Sequence, residues 1–174
     1  MWKFAVLIAA MFVAAPANAQ QIFQHKEWRV SLVPPSNGSP GSCAAETINR
    51  QGQSFILGAN GMGNAVVLFW DRRWDIPARP LKFVLDVDYE RWFMTGTGDG
   101  QSVHLALDGS QKAVELIDQL AAGRAVALYN TDGAKLAVFS LSGSKASMFK
   151  LLDCARSLSA ANRDPFQSRA DPFR

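Results

Sequence analysis

The 174-residue chain carries 18 Lys and Arg against 15 Asp and Glu, a formal net charge of +3, with 48% hydrophobic residues and two cysteines. So small and scattered an excess of positive charge, with no dense Lys/Arg run, gives no electrostatic basis for nucleic-acid binding. The length suits one domain with its own core.

Met1-Trp2-Lys3 is a short head with one positive charge, and the apolar run Phe4–Ala15 follows, stopped by Pro16. Ala17-Asn18-Ala19 then places small residues at the −3 and −1 positions of an A-x-A cleavage site. Residues 1–19 therefore read as a secretory signal peptide, cut between Ala19 and Gln20. A membrane anchor would need roughly 20 apolar residues, and a lipoprotein would need cysteine where Gln20 stands. The mature product is expected in the periplasm or outside the cell, with no membrane span.

Cys43 and Cys154 both survive that cut, 111 positions apart. In an oxidising compartment an even pair reads as a disulfide. Closing a loop of ~100 residues is worth roughly 4.7 kcal/mol in the chain-entropy account. The alternative is two buried free thiols acting as small hydrophobes.

Along the chain, residues 26–33 read as a strand with Trp28 and Val30 on one face. The loop Pro34–Gly41 follows, then strands over 43–49 and 53–58 joined at Arg50-Gln51-Gly52. Gly58–Asn64 reads as a hairpin tip around Asn60-Gly61, leading into the apolar strand Ala65–Trp70. After Asp71–Pro77 comes a strand with Phe83, Leu85, Val87 and Tyr89 on one face and Lys82, Val84, Asp86, Asp88 and Glu90 on the other. Residues 91–95 and 102–107 flank an expected loop, Gly96–Gly100.

At Ser110 the period changes. Ala113, Leu116, Ile117, Leu120 and Ala121 repeat at helical spacing, with Ser110 or Asp108 as cap and Gly123 as a left-handed stop. Strands 124–130 and 134–140 surround a Thr131-Asp132-Gly133 turn. A second helix covers about Lys145–Leu158, capped by Ser142 or Ser144, with Met148, Leu151, Leu152, Ala155 and Leu158 on its apolar arc and Cys154 at the arc's edge. Residues 159–174, with Asp164-Pro165-Phe166 repeated as Asp171-Pro172-Phe173, read as a disordered tail.

No catalytic constellation emerges. There is no G-x-S-x-G elbow, and His25 and His104 are the only histidines. Asp86, Asp88 and Glu90 share a strand face, but same-face residues lie ~7 Å apart and diverge, so they read as a solvated face rather than a metal site. Gly58–Asn64 lacks the Gly-Lys-Ser/Thr ending of a phosphate loop. The segment Arg72-Arg73-Trp74 has the composition of a binding hot spot, or else Trp70 and Trp74 plug the end of the core with the arginines solvated.

Phe139-Ser140-Leu141-Ser142-Gly143-Ser144-x-Ala146, Leu152-Asp153-Cys154, Trp28-Arg29-Val30 and Val87-Asp88 together resemble small exported proteobacterial proteins, nearest in style the invasion-associated locus B family. One departure is that Cys43 comes 15 residues after Trp28, beyond a proline-rich loop, whereas the resemblance leads one to expect it soon after the Trp-x-Val strand. The resemblance implies a non-enzymatic, β-rich envelope domain, connected in some members with host-cell interaction, and supplies no catalytic residues.

The expected architecture is α+β, a mainly antiparallel sheet or sandwich of about eight strands with two late helices. Residues 20–158 form one domain. The expected function is an exported, non-catalytic binding protein held by one disulfide, with no cofactor or metal and with an unidentified protein or envelope component as partner. The alternatives are a hydrolase of envelope substrates, or a protease inhibitor presenting Gly58–Asn64 or Gly96–Gly100.

Overall fold

Alternation of apolar and polar residues sets one continuous inner face. The computed structural model describes residues 19–35 and 40–163, the last three by backbone alone. Its strands are β1 (Gln20–His25), β2 (Trp28–Val33), β3 (Ser42–Ile48), β4 (Ser54–Asn60), β5 (Ala65–Trp70), β6 (Ile76–Val87), β7 (Glu90–Gly100), β8 (Ser102–Leu107), β9 (Ala125–Tyr129) and β10 (Lys135–Ser140). Helix α1 (Gln111–Ala122) and helix α2 (Ser144–Arg163) complete it. The fold is α+β and mainly antiparallel, as the sequence implies, but all ten strands join one sheet in the order β1-β2-β3-β4-β5-β8-β7-β6-β9-β10.

Ladder register places the inner residues in rows. Cys43, Ala59, Ala65 and Leu107 form one; Thr47, Phe55, Phe69 and Val103 form another, four residues along. Four strand residues span about 13 Å, so the two rows mark opposite ends of the core. Aromatic rings fill the second end: Phe55 stacks on Phe69 with centroids 4.9 Å apart, and Phe139 of β10 meets both at 5.7 and 5.9 Å.

That contact requires the sheet to curl until β10 faces the strands near its other edge. The closure is made by side chains. Gln53 Nε2 donates to the Leu136 carbonyl (3.0 Å), Asn49 Nδ2 to Val138 (3.1 Å) and Trp28 Nε1 to Ser140 (3.2 Å). The outward carbonyls, at every second residue of β10 from Leu136 to Ser140, are thus satisfied without a strand partner.

Helix α2 covers the first end of the core, against β1–β4. Met148, Leu151 and Ala155 are buried, and Cys154 reaches Cys43 as a disulfide with Cα atoms 6.1 Å apart. Ser110 Oγ accepts from the Ala113 N–H to cap α1. At the other end of α1, the Ser144 hydroxyl donates to the Leu120 carbonyl, fastening the two helices (2.8 Å).

Several expectations need correction. Gln20–His25 forms a strand that polar composition hides, and the turn at Lys26-Glu27 follows it. Tyr89 is 90% exposed, because Asp88 and Tyr89 both take positive φ (49° and 78°) as a two-residue hairpin turn. Gly96–Gly100 is strand, part of β7, and Gly58–Asn60 belongs to β4. A Cβ at Gly96 would strike the His104 carbonyl, so glycine there permits close strand approach. Gly123 is extended (φ −74°) rather than left-handed; a Cβ would meet Gln119 O and Leu141. Leu152 is 45% exposed instead of buried, and α2 continues past Leu158 to Arg163. Residues 1–18 of the leader and both Asp-Pro-Phe copies lie outside the described residues.

Replacing both Cys43 and Cys154 with alanine should lower unfolding free energy by about 2–5 kcal/mol in urea titrations. A midpoint equal to that of the native chain would show that the bond does not fasten α2 to the sheet.

Candidate functional site

The turn after β5 is organised by one buried carboxylate. Asp71, 2% exposed, accepts from the Arg73 backbone N–H and from its guanidinium, whose terminal nitrogen approaches to 2.6 Å. Gln53 Nε2 also donates to it (2.7 Å). Asn49 Nδ2 donates to Gln53 Oε1 (2.6 Å). The Arg73 guanidinium beside Asp71 holds its carboxyl well below the ordinary value of 3.8, against the opposing cost of burial. The Trp74 N–H donates to the Asp71 carbonyl (3.0 Å), which closes the turn and sets Trp74 half-buried over the core.

Beside Trp74 lies a cleft of about 690 Å³, within the range of small-ligand sites. Its floor is core: Phe83, Val103 and Leu128 are all buried. Trp74, Ile76 and Leu81 form one wall and Leu136 contributes to another. Gly98 makes the first wall possible, since a Cβ there would lie 2.5 Å from Leu81 and 2.6 Å from Ile76. Arg79, Lys82, Asn130 and Asp132 supply polar groups. Apolar floor with few polar groups is the usual make-up of a binding cleft.

The segment Arg72-Arg73-Trp74 does not act as one surface. Trp74 lines the cleft, Arg73 is committed to Asp71, and Arg72 is exposed with its carbonyl accepting from Gln101 Nε2. Arg79, Lys82 and Leu136 escape sequence reasoning because strands distant in sequence converge here. The one local signal is the pair of prolines, Pro77 and Pro80, in the half of β6 where the ladder with β7 is irregular between Ile76 and Arg79.

The other candidates resolve differently. His104 lies on the outer face of β8, paired across with Leu68 and Thr97. Asp86 faces Arg91, Asp88 accepts from the Arg124 and Ala125 backbone N–H groups, and Glu90 accepts from Gln119. Among the described residues no group of three His, Cys, Asp or Glu is placed to hold a metal. No described helix is long and apolar enough to cross a membrane. A second, smaller groove of about 220 Å³ runs between α1 and α2, lined by Ile117, Met148 and the exposed Phe149 and Leu152.

No protein-family model matches the sequence, and a comparison with curated proteins returns no match. The fold has a solved counterpart. It is similar to the crystal structure of invasion associated protein B from Bartonella henselae, with a TM-score of 0.50 and 14% identity over 75% of this chain and 95% of that one. At that identity the likeness is one of fold, in line with the family that the sequence resembles.

Asp71→Ala should cost about 1–3 kcal/mol at neutral pH, since it leaves one of the two Gln53 amide hydrogens without an acceptor in the interior. Because the Asp71 carboxyl is depressed in the folded state, its contribution is present above roughly pH 4 and fades as pH falls below that. Urea midpoints measured from pH 7 to pH 2.5 should therefore fall less steeply for Asp71→Ala than for the native chain. Parallel acid limbs would refute the pairing.

Proposed function

We propose that the chain is an exported, non-catalytic binding module that holds its partner in the cleft beside Trp74. The cleft carries this reading: a concave, largely apolar site of about 690 Å³ rimmed by charged side chains. Export is supported by the leader Met1–Ala19 and by the Cys43–Cys154 bond, since disulfides persist in oxidising compartments. The name of the solved counterpart, invasion associated protein B, favours a partner at the cell envelope or beyond it. A binding role asks only for shape and a few placed polar groups, and the cleft has both.

Two-dimensional NMR of the oxidised chain from Gln20 onward, titrated with linear peptides, muropeptides and N-acyl amino acids, tests this directly. Shift changes should cluster at Trp74, Leu81 and Leu128, and Trp74→Ala should weaken the best ligand by about tenfold or more. Ligands that map elsewhere, or turnover of a hydrolase substrate abolished by His104→Ala, would replace the reading.

A further inference from the structure

Strand β6 has a partner on one side from end to end, apart from an irregularity between Ile76 and Arg79, and on the other side along only part of its length. The β6–β7 ladder runs from Ile76 to Val87, whereas β9 pairs only with Val84–Val87. Among the described residues no other strand pairs with Ile76–Phe83, so this stretch is an open strand edge. The same stretch lines the cleft through Ile76, Arg79, Pro80, Leu81, Lys82 and Phe83. The contrast with β10 is direct, because the outward carbonyls of that edge strand are met by Gln53, Asn49 and Trp28.

Charge separates possible occupants. Arg79 and Lys82 are exposed, and among the described residues neither has a carboxylate within 4.0 Å. Asp132 stands as the single acid lining the cleft. Resting on the binding reading above, we propose that the occupant is an acidic peptide segment, added to the sheet as an antiparallel strand along β6. An extended peptide pairs its backbone with the open edge, which an amphiphile filling the apolar floor does not do. Every existing ladder of the sheet is antiparallel, and the added strand continues that pattern.

Register then dictates a sequence. Leu81 shares the inner face with Phe83, while Lys82 projects to the outer face. Read from its N-terminus, the guest segment places an acid opposite Lys82, an apolar residue opposite Leu81, any residue opposite Pro80, and an acid opposite Arg79. The motif is acidic–apolar–any–acidic.

The test uses a fluorescein-labelled peptide of about ten residues carrying that motif, titrated by anisotropy against the oxidised chain. N-acyl glycine with a decanoyl chain is titrated in parallel by Trp fluorescence. The peptide should bind, N-methylation should weaken it by about tenfold at every second amide, and Arg79→Glu/Lys82→Glu should weaken it likewise. A peptide with lysines in place of its acids should recover binding to that charge-reversed variant, which shows that the variant is folded. Binding of the N-acyl glycine without peptide binding would overturn strand addition and leave the cleft reading standing. Binding of neither would count against both. Peptide binding indifferent to N-methylation would also overturn strand addition.

Discussion

The carbonyls of Leu136, Val138 and Ser140 point away from β9, and something must satisfy them as the sheet folds back on itself. Gln53, Asn49 and Trp28 do so. Had another strand paired there, the sheet would have closed as a barrel, with the ladder running on for the full length of β10. Side chains close it only where they reach. Leu136 is the last carbonyl so held, and Leu136 also lines the cleft. The opening beside Trp74 is therefore a consequence of how the seam is built. The same seam brings Phe139 onto Phe55 and Phe69 and completes the aromatic end of the core.

A buried carboxylate so close to that seam would be costly without compensation. Asp71 receives donors from Arg73 and Gln53, and Gln53 in turn holds both Asp71 and the Leu136 carbonyl with one amide nitrogen. Arg73 stays largely in solvent at its own end (side chain 59% exposed), so only one member of the pair loses its hydration. The network links the β3–β4 turn, the β5–β6 turn and the β10 edge. Since the Trp74 N–H is held by the Asp71 carbonyl, the interactions that close the sheet also aim Trp74 at the cleft.

Most of this fold is legible in local sequence, and the exceptions have physical causes. Strands β3, β5, β8, β9 and β10 declare themselves through alternation or short apolar runs, and α1 through Leu116 and Leu120. Strand β1 does not, because Gln20–His25 is mostly polar and a bulge between Gln21 and Phe23 breaks its period. The Gly96–Gly100 run imitates a turn because glycine commonly serves turns; here the missing Cβ admits the His104 carbonyl and the Leu81 and Ile76 side chains. The end of α2 is stabilised by a distant group, since the Ser159 hydroxyl donates to the Gly61 carbonyl (2.6 Å). The cleft was half visible. Trp74 stands out by composition, but its neighbours Leu128 and Leu136 come from the β9–β10 hairpin and reach it only through the curl of the sheet.

An open strand edge invites pairing with another copy of the same chain, and proteins generally blunt such edges. Two prolines, Pro77 and Pro80, remove donors from the exposed half of β6. Antiparallel self-pairing centred on this stretch would also bring Arg79 and Lys82 of each copy close to those of the other. Directly opposed like charges destabilise a strand pair. The missing proline donors thin the pairing for any added strand, so it is charge alone that distinguishes a segment of opposite sign, which meets Arg79 and Lys82 as attractions, from a second copy, which meets them as repulsions. On the strand-addition proposal, preference for an acidic segment over a second copy comes from the same two cations that line the cleft.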